Sequence, residues 1–238
     1  MFFAKKNKET KKRGACSLVF DDAYKETLVN VLPILKKYNL RATFAFATNP
    51  EAIEKTEKFP CASLEIAKKI RSLGHEIASH SVNHKNLTQI SDTELQTELE
   101  NSQKTLRAET IIYPGGKYDD RVLTQAKKYY QFGRSVAENL NHIPPQNFLT
   151  LQSYVLRQNT KWLILEHKAK QAAKKNLWLI ESYHLVSDKE KNYRFTAAPR
   201  DFEKHLQKLI ALNLWIAPLS TVAKYIIGKL NSPPDKGD

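Results

Sequence analysis

Two hydrophobic rhythms alternate along the chain. Ala15 to Phe20 is a nearly unbroken apolar run between Gly14 and Asp21, as a buried strand requires. Leu28, Val31, Leu32 and Leu35 then recur at i, i+3, i+4 and i+7, the spacing of one helical face, and predict a helix ending near Asn39. Ala42 to Ala47 predicts a second strand, and Ser63 to Leu73 a helix stopped at Gly74, where glycine accepts the left-handed turn that closes a helix. Glu76 to Ser79 predicts a third strand. Ser91 with Glu94 forms a capping-box pattern, and Leu95, Leu99 and Leu106 lie on one stripe of the helix it opens.

The alternation continues. Thr110 to Tyr113 predicts a strand, Asp119 to Tyr130 a helix and Phe132 to Val136 a strand. His142 to Phe148, with Pro144 and Pro145, reads as a loop, Leu151 to Leu156 as a strand and Lys161 to Lys174 as a helix. Leu177 to Tyr183 is strongly apolar at Trp178, Leu179 and Ile180. Pro199 opens a helix carrying Phe202, Leu206 and Leu209, then Leu214 to Ala217 predicts a strand and Ser220 to Lys229 a closing helix. About seven strands separated by helices imply an α/β architecture with a parallel sheet, either open and doubly wound or closed into a barrel. Their even spacing favours the barrel. The domain is expected over residues 15–230, with a basic tail at 1–14 and a polar tail at 231–238.

Composition narrows the class. The 238 residues, 41% apolar and 26% charged, suffice for one core and exclude a disordered or collagen-like chain. No apolar run approaches the roughly 20 residues that cross a bilayer. Lys5, Lys6, Lys8, Lys11, Lys12 and Arg13 form a basic run, but the apolar stretch behind it is too short for a secretory leader, so no export signal is expected in this chain. With 38 basic against 25 acidic residues, the net charge of +13 favours contact with polyanions. No nucleic-acid module or interleaved aromatic motif accompanies that charge, and nucleic acid is not expected as a partner. Cys16 and Cys61 lack CxxC spacing, which excludes a metal ribbon or redox motif, and Cys16 reads as core.

The informative positions are the polar ones that interrupt the pattern. Asp21 and Asp22 end the first strand, and His80 ends the third with His84 four residues on. Pro114, Gly115 and Gly116 follow the fourth, and His184 ends the strand begun at Leu177. In a parallel sheet all lie at the carboxyl-end face, where such folds keep their sites. Singly, each has a plainer reading: an Asp pair as turn and helix-cap chemistry, a lone His as a satisfied core or surface group. His80 and His84 are one helical turn apart, a spacing that brings two imidazoles toward one ion. A zincin helix would carry Glu directly after the first His, where Ser81 stands. His75, His142, His167 and His205 lack strand-end placement or partners and read as structural or solvated. One carboxylate with two imidazoles suits a divalent cation with open positions, Zn²⁺ most readily, with Co²⁺, Ni²⁺ or Fe²⁺ also accepted. A second carboxylate beside the ion is then free to take a proton, the layout of an acyl hydrolase.

Five segments carry a family resemblance. In order they are SLVFDDAYKETLVNVLPILKKYNLRATFAFAT, GHEIASHSVNHKNLTQISDTELQTELENSQKTL, IIYPGGKYDD, WLIESYHLVSD and FTAAPRDFEKHLQKLIALNLWIAPLS. Over residues 15–220 the chain resembles the polysaccharide deacetylases of the NodB-homology type, carbohydrate esterase family 4. The resemblance implies a distorted (β/α)7 barrel, Asp22, His80 and His84 as metal ligands, Asp21 as catalytic base and His184 as catalytic acid. It further implies Gly115, with Tyr113 nearby, at the carbonyl oxygen. The implied substrate is a GlcNAc-containing polysaccharide that loses its N-acetyl groups as acetate, and the implied location is the periplasm, the cell surface or the medium.

The chain departs from the family pattern at several points. Ala23 stands where glycine commonly follows the Asp pair, and Gly115 where Tyr is usual. The third block lacks the family's arginine, and Arg134, at the end of the strand from Phe132, is expected to reach Asp21 in its place. The tryptophan-bearing aspartate block that tunes the histidine has no counterpart. O-acetyl or small amide substrates would use the same chemistry. An inactive glycan- or polyanion-binding barrel would agree with the charge, but has no need of both Asp21 and His184.

Overall fold

At the centre of the sheet lies β1 (Ala15–Phe20), whose whole length pairs in parallel with β7 (Trp178–Tyr183). On its other side the start of β1 pairs with β10 (Trp215–Ile216) and its end with β2 (Thr43–Phe46). From β2 the sheet continues in chain order through β3 (Glu76–Ser79), β4 (Thr110–Ile112) and β5 (Phe132–Arg134), while β6 (Tyr154–Val155) lies beyond β7. The ring closes between β5 and the segment leading into β6. Arg134 bridges Leu151 in parallel, Leu151 N–H donates to Gly133 O and Ser135 N–H to Leu151 O. Seven parallel strands in sequential order make the expected distorted (β/α)7 barrel and exclude the open sheet. The computed structural model describes residues 14–158, 162–190 and 192–231. The basic run ending at Arg13, the expected start of a helix at Lys161 and the tail beyond Asn231 lie outside them.

Alternation along the strands sorts the core into two layers. Ala15, Val19, Ala45, Ala78, Ile112, Phe132, Trp178 and Ile180 fill the interior together with Leu219, Val222 and Ala223 of α8 (Leu219–Asn231). The Trp178 indole N–H is satisfied there by Ser17 Oγ, 3.0 Å away, as a buried indole requires. The alternate residues face the helices: Phe20 stacks on Phe44 (5.0 Å) and Tyr183 (5.4 Å) and meets the edge of Phe202 (5.7 Å). At the strand amino ends Glu76 gathers Thr43 and Thr110 hydroxyls and the Ser220 N–H, which ties α8 to that end. The strand carboxyl ends are left free for a site.

The helices follow the sequence closely: α1 (Lys25–Lys37), α3 (Leu64–Ser72), α4 (Asp92–Leu106), α5 (Asp120–Ala126), α6 (Trp162–Lys175) and α7 (Pro199–Ala211). Ser91 Oγ accepts from Glu94 N–H at 3.3 Å, the bond expected of the capping pattern. Three features differ from expectation. A further helix, α2 (Pro50–Glu57), has Ile53 as its one buried residue, too little apolar periodicity to announce it. A short parallel pair, β8 (Leu185–Val186) with β9 (Thr196–Ala197), follows His184. His205, expected to lack a partner, is buried with Nε2 2.9 and 3.1 Å from the Glu181 carboxylate oxygens, which fastens α7 to β7.

Candidate metal centre and active site

The first strand does not stop cleanly at Phe20. Asp21 N–H still donates to Tyr183 O of β7 at 2.8 Å, and only then does the chain turn, with Asp22 at φ 64° and Ala23 at φ 50°. Asp tolerates this left-handed region because its short side chain bonds locally; Ala does so at a cost of about 1–2 kcal/mol, which glycine would spare. Tyr24 is the N-cap of α1 and makes no side-chain cap bond, so neither Asp is spent on the helix. The plain turn-and-cap reading of this pair falls, and both carboxylates stay available.

His80 follows β3 with its N–H on Phe46 O, and its Nδ1 lies 2.6 Å from Ile112 O. An N–H at Nδ1 satisfies that carbonyl and leaves the Nε2 lone pair free, as when a backbone carbonyl orients an imidazole toward a metal ion. His84 arrives by a tight turn, not the helical turn the spacing suggested: Ser81 (φ 64°) and His84 (φ 55°) are both left-handed. Such angles are incompatible with a helix, and the turn is held from outside. Glu98 of α4 accepts from the Val82 and Asn83 N–H groups at 2.8 Å each and from Asn83 Nδ2 at 2.6 Å. Sequence reading passed over Glu98, although an acid on the buried stripe of α4, one residue before Leu99, was a visible signal.

The two turns meet. Asp22 Oδ1 lies 3.5 Å from His80 Nε2 and 3.5 Å from His84 Nε2, and the three ligand atoms fall within 4.8 Å of one another. Asp22 Oδ1 is buried and has no hydrogen-bond partner among the described residues. A buried carboxylate oxygen left unpaired between two imidazole nitrogens is costly unless something positive joins it, so the donor set fits a divalent cation. Burial pushes the Asp22 carboxyl up to about 6, with His184 opposing and Asp21 adding to the rise. Burial and the neighbouring His84 push His80 down to about 3, and burial lowers His84 as well. Both imidazoles are therefore neutral at ordinary pH, the form in which an imidazole can bind an ion.

Asp21 faces a different environment. Arg134, buried at the end of β5, places Nη2 2.6 Å from each Asp21 oxygen, and His184 Nε2 is 3.7 Å from Oδ2. Burial alone would raise Asp21, but the Arg134 guanidinium, by its charge and its hydrogen bonds, outweighs it and holds the carboxyl below its ordinary range. Two adjacent carboxylates are thus driven apart, one toward protonation and one toward ionisation, the pattern of groups with separate roles.

The structure brings Asp21, Asp22, His80, His84, His184 and Arg134 together. Tyr113 and Gly115 sit on the adjoining turn after β4. Tyr113 is buried with its hydroxyl unpaired and its ring 5.4 Å from Tyr118, and the structure does not bring that hydroxyl within bonding distance of the cluster. Gly115 has φ 60° and nothing within 4 Å of where a Cβ would stand, so its backbone borders open space.

Residues 8–131 match the family model for polysaccharide deacetylase, more than half of the chain. The chain belongs to the polysaccharide deacetylase family. It is 27% identical over 143 residues to a peptidoglycan-N-acetylglucosamine deacetylase of Bacillus cereus, an alignment covering 59% of this chain and 44% of that protein. The chain spans less than half the length of the curated relatives it matches. Among solved structures, the carbohydrate esterase 4 domain of a xylanase from the Trinervitermes trinervoides hindgut metagenome superposes with a TM-score of 0.61 at 16% identity, covering 94% of each chain. A family pseudoenzyme from Bacillus anthracis gives 0.60 at 16% identity, covering 89% of this chain and 66% of that one. At such identities the likeness shows the fold, which active and inactive members share. Activity has to be argued from the side chains.

Proposed function

We propose that this deacetylase is a metal-dependent hydrolase that removes N-acetyl groups from a GlcNAc-containing polysaccharide, releasing acetate and a free amine. The observation that carries the reading is the meeting of the Asp22, His80 and His84 donor atoms with the ionised Asp21 and with His184 at the same barrel mouth. Asp22, His80 and His84 would hold the cation, most readily Zn²⁺. A divalent cation there supplies a Lewis acid that polarises the acetamide carbonyl and lowers the pKa of water toward about 7.

The rest follows from the chain itself. Asp21, kept ionised by Arg134, accepts the proton of the attacking water. His184, whose Nε2 lies 3.7 Å from Asp21 Oδ2, gives a proton to the departing sugar nitrogen. The backbone at Gly115 borders the open space in which a carbonyl oxygen would develop charge. A polymer of this kind is met at the cell wall, so the proposed place of action is the periplasm, the cell surface or the medium. Among the described residues no helix is long and apolar enough to cross a membrane.

The test is acetate release from acetylated chitooligosaccharide or peptidoglycan, with and without chelator. Release that stops on chelation, returns with added zinc and is absent in His80→Ala supports the reading. Release indifferent to both treatments overturns it.

A further inference from the structure

His184 has an unusual set of neighbours for a proton donor. Its backbone is fixed, since Thr27 Oγ1 donates to His184 O at 2.8 Å and accepts from Val186 N–H at 3.0 Å. Its ring is not fixed by hydrogen bonds. Nε2 is 3.7 Å from Asp21 Oδ2, beyond bonding distance, and Nδ1 is buried with no hydrogen-bond partner among the described residues. An imidazole held only at Cβ can rotate, and its donor nitrogen would wander from the line to the substrate.

Among the described residues one aromatic ring stacks on it. The Phe195 ring lies 4.7 Å from the His184 ring at an interplanar angle of 26°, a stacked pair. Phe195 is placed there by the short sheet absent from the sequence reading: Leu185 N–H donates to Phe195 O at 3.1 Å, and Leu185 and Val186 pair with Thr196 and Ala197. Tyr193 backs the ring edge-on at 5.9 Å. Tyr193 is itself packed at 4.7 Å on Phe59, and its hydroxyl bonds the Tyr24 hydroxyl and donates to a Glu57 carboxylate oxygen, at 3.3 Å each. The stack therefore rests on a wall anchored at the start of α1, through its N-cap Tyr24, and at the end of α2, through Glu57.

We propose that Phe195 is the positioning residue of the catalytic acid, holding the His184 imidazole in plane by stacking where no hydrogen bond at Nδ1 does so. The inference deepens the hydrolase reading above and rests on it. Removing the ring leaves the backbone and the charge of the site intact but lets the imidazole turn. Misplacement on this scale lowers kcat by about 10- to 100-fold while KM stays within about twofold.

The test uses the full chain loaded with zinc and supplied with acetylated chitooligosaccharide. Phe195→Leu keeps an apolar side chain, Phe195→Tyr keeps the ring, and His184→Asn removes the acid. The expected result is a kcat loss in Phe195→Leu at unchanged KM, with Phe195→Tyr restoring most of it. In NMR spectra the His184 Cε1–H resonance, shifted by the phenyl ring current in the wild type, returns to its ordinary position in Phe195→Leu. A large kcat loss in His184→Asn with none in Phe195→Leu overturns the proposal and leaves the acid reading standing. A wild-type resonance without ring-current shift also overturns it, and this measurement needs no folded variant. A kcat unchanged in His184→Asn overturns the acid reading itself, and the catalytic role of the stack with it.

Discussion

Arg134 and Asp21 form a buried ion pair across the barrel mouth, with Nη2 2.6 Å from both carboxylate oxygens although 113 residues separate the two in sequence. The arginine missing from the third block has a counterpart on β5, and the pair keeps the Asp21 carboxylate ionised although it is buried.

Arg134→Met strands that carboxylate without its partner. Losing one member of a buried pair costs about 3–5 kcal/mol, readable in urea unfolding, and turnover falls with it. The double variant Asp21→Asn with Arg134→Met leaves no unpaired charge, so it regains most of the stability while remaining inactive. Wild-type stability and turnover in Arg134→Met would show that the pair does neither job.

The turn carrying the two histidines depends on Glu98. Glu98→Ala leaves the Val82 and Asn83 N–H groups without their acceptor and frees Ser81 and His84 to relax from left-handed angles. Zinc affinity by isothermal titration is expected to fall about 10- to 100-fold, the usual effect of losing a group that orients the residues around an ion. An unchanged affinity would mean that the turn holds its shape unaided.

Stability should fall in mild acid, and His75 supplies part of the fall. Burial and nearby Arg41 push its pKa to about 4, and its Nδ1 accepts from Ala42 N–H at 3.1 Å. Between that value and the ordinary 6.5 the unfolded chain binds a proton that the folded one refuses, so stability is full above pH 6.5 and declines as pH drops toward 4. His75→Asn keeps an acceptor without titrating, and its melting temperature should decline less steeply across that window. Equal slopes would remove His75 from the account.

Much of this was legible in the sequence, for reasons that differ by element. The strands and the α1, α4 and α7 faces were readable because each buries a periodic apolar stripe, as Leu95 and Leu99 do on α4. The four strand-end polar positions followed from parallel topology alone. Arg134 was found by its place at a strand end. What escaped was set by tertiary contact: α2 buries a single Ile53, and β8 and β9 are two residues each. Glu98 and Phe195 act through other side chains, and a linear pattern does not show which turn an acid supports or which ring a phenyl covers. The HxxxH spacing pointed to two imidazoles that do lie beside Asp22, but a left-handed turn brings them there in place of a helix.

The central claim is that Asp22, His80 and His84 grip one divalent cation, and metal content tests it most directly. Elemental analysis of zinc-equilibrated, gel-filtered wild-type protein should give about one zinc per chain, and of the His80→Ala, His84→Ala double variant almost none. Equal zinc in both proteins, or a folded wild type that takes up no divalent cation, would contradict the account.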